Sequence, residues 1–437
     1  MTEVRRSLGL GDLVLFNFSA VVGIRWIATA AAAGSGSLTL WVLAAILFFV
    51  PVAFAVADLA RSDARQGGLY QWTRAAFGPW HGFLCGWCYW LNNLFFFPTL
   101  IVAGLAVGHA ALHPGESPGT CGFESQASLW SVAVIVFITA LNTQGLGLGK
   151  WISNVGGVMT MAAGSLLVVG AIVVWNQHGS ANTFDLMPKL DWGRINFWSQ
   201  IAFAFGGLEL SSIVAGEIRD PERTIPRAIW ASAFTIAFCY IGGTAALLVL
   251  VPFREISVVT GLAQGGAAVA QASGLRFLFP VLVFFVVTGI AGQLGTWMAG
   301  NARLPQVLGM DHLLPDTFAR LHPRHGTPNV ALWVQAAAAA GFLLLLSYGE
   351  NLKTAYQLLV DMAVITYFIP FVYLFLTDWR HGARIRPLAG LSVTILAIVL
   401  SLIPPADSRP LWFLAKLLGG TAAVIVSARI WFSHRTA

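Results

Sequence analysis

Apolar residues along this chain come in long blocks, separated by short polar connections. A helix of about 20 apolar residues crosses the hydrocarbon core of a bilayer, so each block predicts a transmembrane helix. Twelve blocks can be drawn, at 10–34, 39–60, 79–110, 129–146, 151–175, 194–216, 227–251, 275–302, 328–347, 353–377, 387–403 and 410–431. The third is unusually long and is expected to tilt, or to be interrupted near Pro98. Three connections have patterns of their own. Residues 61–78 read as an amphipathic segment, 254–274 as a surface or re-entrant helix too weakly apolar to span, and 303–328 as a long basic connection.

Two blocks hold residues that hydrocarbon penalises. The first contains Gly23-Ile24-Arg25, and the sixth reads Phe203-Ala204-Phe205-Gly206-Gly207-Leu208-Glu209-Leu210. Glycines loosen a helix and an intramembrane charge is costly, so both blocks are expected to be broken near their middle. An unwound turn frees N–H and C=O groups that lipid cannot satisfy, and these must line a cavity where a solute can meet them. Paired interruptions half a chain apart point to a transporter built from inverted repeats.

Composition supports the membrane setting. The 437 residues are 57% hydrophobic and only 10% charged, with a mean hydropathy of +0.74. Soluble domains carry about 25% charged residues. The net charge of +6 lies in short loops rather than in a basic face, so nucleic acid is not an expected partner; the lipid bilayer is. With the N-terminus inside, seventeen Lys and Arg fall on one side and seven on the other, which predicts both termini in the cytoplasm. No cleavable leader is expected: Arg5 and Arg6 run straight into a block long enough to span.

Chemistry-bearing motifs are sparse. Cys85-Gly-Trp-Cys88 has redox spacing but lies in an aromatic block and reads as two buried thiols. Gly145-Leu-Gly-Leu-Gly-Lys150 lacks the spacing, the following Ser/Thr and the preceding strand of a phosphate loop, and reads as a helix–helix turn. The nine histidines fall in loops or near block ends, and no HExxH or paired-carboxylate motif occurs. A membrane enzyme, a metal site and a bound cofactor are therefore not expected.

Three separated stretches resemble one family. They are "FFVPVAFAVADLARSDARQGGLYQWTRAAFGPWHGF", "FAFGGLELSSIVAGEIRDPERTIPRAI" and "WMAGNARLPQVLGMDHLLPDTFARLHPRHGTP", in order and at the second, sixth and eighth blocks. They are similar to the amino acid–polyamine–organocation transporters, most of all to bacterial glutamate/GABA and arginine/agmatine antiporters. The resemblance covers essentially the whole chain. It implies an all-α integral membrane fold of twelve helices: one inverted repeat over 1–192, a second over 193–380, and two peripheral helices over 381–437, with helices one and six broken. It implies a secondary active transporter of amino acids or related amines in the bacterial cytoplasmic (inner) membrane, working by alternating access. Homodimers are common in the family, and nothing in the sequence shows one.

The same resemblance assigns roles by motif. Gly23, Ile24, Arg25, Tyr89, Phe203, Ala204, Phe205, Gly206 and Trp297 fall at substrate-contacting or gating aromatic positions. Glu209, Tyr367 and Asp361 are the gating and proton-linked candidates. Departures bear on the substrate. The family's Gly-Ser-Gly turn is replaced by Gly23-Ile24-Arg25, and Gly34-Ser35-Gly36 copies its letters at the outer helix end. The lysine of proton-coupled members would fall near Ala163 and is missing, which favours exchange or facilitated movement over proton symport. Too few residues follow Arg435 for the plug of some glutamate/GABA exchangers.

Arg25 has three readings. An unpaired arginine at mid-membrane costs from about 3 to over 10 kcal/mol, so it needs compensation. An internal ion pair with Glu209 or Asp361, a pocket role toward a solute carboxylate, and snorkelling to a cavity edge all remain open. Asn92 and Asn93 read as helix–helix hydrogen bonders, with a pocket role as the alternative. Two rival functions also stand: a sensor or scaffold that keeps the fold without moving solute, and a proton symporter of another small organic solute.

Overall fold

The computed structural model describes residues 6–113, 121–188, 196–346, 352–404 and 410–436, whose regular elements are all helices, beside one isolated bridge between Leu8 and Ile218. The chain opens with α1 (Leu10–Val21) and α2 (Arg25–Ala32), set at 41° across the break at 22–24. The second span is α3 (Ser37–Ala44), a π-helical turn over Ala45–Phe49 and α4 (Val50–Ser62). The amphipathic α5 (Leu69–Phe77) follows, then α6 (Pro79–Leu112), α7 (Cys121–Thr143) and α8 (Leu146–His178). The sixth block is divided between α9 (Asn196–Ala204) and α10 (Leu210–Ile213), with a 3-10 turn over Ala215–Glu217. Beyond it run α11 (Pro221–Leu250), the short α12 (Gly261–Ser273), α13 (Leu278–Asn301) and α14 (Arg303–Met310). Four helices complete the chain: α15 (Asn329–Leu346), α16 (Leu352–Arg380), α17 (Ile385–Ser401) and α18 (Pro410–Thr436).

Among the described residues, seven helices are long and apolar enough to cross a bilayer alone, and an eighth crossing comes from the bent α1–α2 pair. The described apolar stretches of α7, α15 and α17 are shorter, and the sixth block is too fragmented to qualify. Outward faces of α8, α11 and α18 expose Val169, Ile172, Phe234, Phe238, Leu411 and Trp412. Such a surface is stable in hydrocarbon and not in water.

One expectation changes in detail. α6 runs unbroken through Pro98 rather than stopping there. Packed neighbours and side-chain hydroxyls let membrane helices carry a proline, and Thr99 Oγ1 donates to Phe96 O at 2.7 Å beside it. The sixth block breaks near its middle, over 205–209, and α10 beyond the break keeps only four residues. Ser211 Oγ donates to Leu208 O at 2.7 Å and Ser212 Oγ to Glu209 O at 2.6 Å, so these side chains compete with the helical ladder just after Gly206-Gly207. Elsewhere the patterns hold. The 254–274 connection contains α12, and α5 turns Leu69, Tyr70 and Trp72 inward.

Glycines let α8 and α13 approach at backbone distance. Gly156 of α8 and Gly292 of α13 meet backbone to backbone: a Cβ on Gly292 would lie 2.2 Å from Gly156 Cα. Gly289 faces Thr160 and Gly295 faces Ile152 along the same seam. Small residues are the means by which membrane helices approach, because lipid gives them no hydrophobic drive to associate. Gly292→Val is expected to destabilise the fold by about 3 kcal/mol or more, since overpacking against backbone cannot relax by a rotamer change. A thermal-unfolding midpoint in detergent equal to that of the parent would contradict this seam.

Candidate functional site

The two breaks lie side by side and share their hydrogen-bond partners. Ala20 O, at the end of α1, accepts from Gln293 Nε2 at 3.1 Å and Trp297 Nε1 at 2.8 Å, both on α13. Val21 O accepts from the Tyr240 hydroxyl of α11 at 2.6 Å, and the same hydroxyl accepts from Gly23 N at 3.0 Å. It also lies 2.9 Å from Ala204 O, the last residue of α9. One phenol therefore touches both unwound turns. It has a single proton for two carbonyls, so the two compete for it.

Backbone shape explains the glycines here. Trp26 folds back over Gly23, where a Cβ would lie 2.7 Å from its ring. Gly206 lies under the Tyr367 ring, with 2.3 Å for a Cβ. Gly207 has φ +129°, a region open to glycine, and presses on Ala20 and Val21 of the other break.

Glu209 is fully buried at the second break. Its Oε1 accepts from Tyr89 OH of α6 at 2.8 Å and from Tyr367 OH of α16, while its Oε2 accepts from Gly207 N at 3.1 Å. The carboxyl group thus joins two helices, α6 and α16, and its own loop. The aromatic rings around it form a chain: Phe203 to Tyr367 at 5.1 Å, Tyr367 to Tyr89 at 5.5 Å, Tyr367 to Trp297 at 5.9 Å, and Trp297 to Phe96 at 5.3 Å. Trp26 closes edge-on against Phe203 at 5.6 Å.

Arg25 completes this ring. It is 2% exposed, with its guanidinium carbon 4.2 Å from the Trp26 ring centroid and 5.0 Å from that of Phe96. Cation–π contact with two rings gives the guanidinium favourable electrostatics inside the bundle. Its charge therefore sits beside the aromatic chain that also holds Phe203 and Trp297, whereas Glu209 is engaged by tyrosines.

The structure brings Gly23, Ile24, Arg25, Tyr89, Phe203, Ala204, Gly206, Glu209, Trp297 and Tyr367 into one closed region between the breaks. Phe205 does not join the ring. It turns the other way, stacking on Phe49 at 4.7 Å and meeting Trp41 and Tyr240 edge-on. Phe203 is in α9 and Phe205 follows in a tight turn, so two aromatics two residues apart on a helical path fall on opposite sides. Asp361 is fully buried in α16. Asn93 Nδ2 bonds Tyr89 O at 3.3 Å and Asn92 Oδ1 accepts from Thr366 at 3.4 Å, which are contacts within and between helices. Cys85 and Cys88 are buried free thiols.

Tyr240, Gln293, Trp26 and Phe96 escaped the sequence reading. Gln293 and Trp297 are four residues apart and so share a helix face, a signal the sequence does carry. A lone tyrosine in the apolar block of α11 gives no such sign. Tyr240→Phe keeps the ring stacked on Trp41 at 4.4 Å but leaves Val21 O and Gly23 N without that partner. The substitution is expected to cost about 1–3 kcal/mol. The check is thermal unfolding in detergent, where an unchanged midpoint would contradict the bridging role.

Comparison with known proteins agrees with this architecture. An amino acid permease family profile matches residues 8–406. An uncharacterised transporter of Legionella pneumophila is 26% identical over 85% of this chain and 81% of its own length. A branched-chain amino acid permease of Bacillus subtilis is 24% identical over 76% and 73%. A probable agmatine/putrescine antiporter of Lactococcus lactis is 25% identical over 68% and 63%. These relatives bear the names of transporters and permeases, not of enzymes. With its apolar helices, its paired breaks and a profile match over most of its length, the chain is a multi-pass membrane protein of the amino acid permease family.

Proposed function

We propose that this chain is a secondary transporter that moves amino acids across the cytoplasmic membrane by alternating access. One observation carries the reading: two interrupted helices meet around a single aromatic cluster, with a guanidinium (Arg25) at one break and a carboxyl group (Glu209) at the other. In this reading twelve spans form two inverted five-helix repeats, over 1–192 and 193–380, with peripheral helices over 381–437. Both termini and the basic connections face the cytoplasm, as the bias of Lys and Arg supports.

The solute's ammonium is held by carbonyls of the two unwound turns, and its carboxylate by the amides of Ile24 and Arg25, after Gly23. Phe203, Tyr89, Trp297 and Tyr367 close over it. Phe205 supports the second break from behind. Glu209 links closure to the state of its proton, because losing or gaining it changes which groups can donate to Tyr89 and Tyr367. Asp361 belongs to the same gating machinery on α16.

Arg25 sets the substrate class. A charge-assisted contact to a carboxylate is strong in a desolvated chamber. A second cation is repelled: two like charges about 5 Å apart, at an effective dielectric of about 20, cost about 3 kcal/mol. This supports zwitterionic or acidic amino acids, in line with the name of the Bacillus relative, over the diamines in the name of the Lactococcus one. Ala163, where proton-coupled members carry lysine, supports exchange rather than symport.

Proteoliposomes loaded with single amino acids test the function. Saturable exchange of glutamate, GABA or neutral amino acids is expected, with agmatine and putrescine excluded; no exchange of any of them would leave a sensor with this fold. Arg25→Ala should weaken apparent affinity for the transported amino acid about tenfold or more and relax exclusion of agmatine. An unchanged preference in folded protein removes Arg25 from the chamber's recognition. Glu209→Gln is expected to flatten the pH profile of exchange, and a profile identical to the parent's would refute proton linkage through this residue.

A further inference from the structure

A second buried charge pair lies apart from the chamber, at the end of the bundle that carries α5 and α14. Glu217 closes the 3-10 turn after α10 and Arg303 opens α14. Their side chains are 5% and 3% exposed and form an ion pair. Arg303 also donates to Gln306 Oε1 at 3.3 Å and to Gly326 O at 3.4 Å, and Gln306 Oε1 accepts from Gln66 Nε2 at 3.2 Å.

The backbone of Glu217 is tied to the segment that enters α1. Ser7 N and Leu8 N both donate to Glu217 O, at 2.9 and 3.0 Å, and Arg219 N returns a bond to Leu8 O at 3.0 Å. A single ion pair thus joins the entry to α1, the exit from the sixth span, the α4–α5 connection and the α13–α14 joint. These are the ends of both interrupted helices and of the helix that supplies Gln293 and Trp297.

A cavity of about 40 Å³ adjoins this knot, lined by Glu217, Arg303, Asn142, Ser153, Ala299 and Thr327 among others. Asn142 Oδ1 is buried on its wall with no hydrogen-bond partner among the described residues. The space suits a water molecule, which would supply the donor. Polar contact continues inward from the wall. Thr296 Oγ1 lies 2.9 Å from Ser153 Oγ and 3.0 Å from Ser19 Oγ, one residue before Ala20 at the first break. The cavity therefore sits on a line that leads from this end of the bundle to the chamber.

We propose that Glu217 and Arg303 are the latch of the gate on this side, holding the cavity shut and parting when the chamber opens toward it. This rests on the alternating-access reading above, with this end in the cytoplasm. Paired, the two charges compensate each other where the dielectric is low. Separated, each needs water. The gate consequently has two stable conditions, dry and paired or wet and apart, with little between. The pair touches no residue of the chamber, so it acts on which side is open and not on solute contact.

Thiol labelling tests the latch without any transport measurement. In a background with the four native cysteines replaced, Ala299→Cys puts a thiol on the cavity wall. Inside-out vesicles expose it to a membrane-impermeant maleimide from the cytoplasmic side. Glu217→Gln and Arg303→Gln are each expected to raise the labelling rate about tenfold, and the reversal pair Glu217→Arg with Arg303→Glu to bring it back within about threefold of the parent. Should the neutral variants fail to fold, Arg303→Lys keeps a buried charge and is expected to raise the rate about threefold. An unchanged or slower rate in these folded variants overturns the latch. Exchange that persists alongside unchanged labelling overturns the latch alone, while raised labelling in a chain that exchanges no amino acid supports the latch and counts against the transport reading.

Discussion

Hydrocarbon cannot hydrogen-bond, and from that constraint most of this structure follows. Two helices are unwound side by side in the interior, and each unwound turn must find donors and acceptors within the protein. Tyr240, Gln293 and Trp297 supply them from two other helices. Because the partners come from α11 and α13, the breaks are held at a fixed place rather than left to fray. The glycines then become necessary: Trp26 and Tyr367 lie directly on the loosened backbone, and no side chain would fit beneath either ring. Satisfying the backbone is thus the same act as packing the aromatic cluster around it.

Charge is handled by a similar economy. Glu209 is surrounded by phenol hydroxyls and one amide, all of which can donate to a carboxylate. Arg25 lies against aromatic faces, whose quadrupoles favour a cation. The two charged groups therefore have different kinds of surroundings although they belong to neighbouring breaks. At the far end Glu217 and Arg303 meet the same problem by pairing directly. Aromatic faces, phenol hydroxyls and a direct ion pair thus each accompany a buried charged group among the described residues.

Much of this was legible before any coordinates. Hydropathy located the membrane blocks because twenty apolar residues have few other uses. The breaks showed as glycine next to charge, a combination a continuous membrane helix has no reason to carry. What the sequence withheld was geometry between distant residues. Tyr240 looks like any tyrosine in an apolar block until Val21 and Ala204 are seen to flank its hydroxyl. Phe203 and Phe205 are named together in the motif, yet their spacing of two on a helical path sends them to opposite sides. Pro98 looked like an interruption because its effect depends on neighbours, and the shortness of α10 depends on where serine hydroxyls find carbonyls.

The contact between α8 and α13 has a mechanical side. Where Gly156 and Gly292 touch, no rotamer lies between the two backbones to yield under load. A slide of a single residue would drive a side chain into main chain, and interiors packed this densely resist such compression. The two helices are therefore a splint: they turn or tilt as one piece, with no slack between them. Since α13 also grips Ala20 through Gln293 and Trp297, any tilt of that splint pulls on the first break directly. A stiff joint of this kind passes movement on to a place where the chain is already unwound.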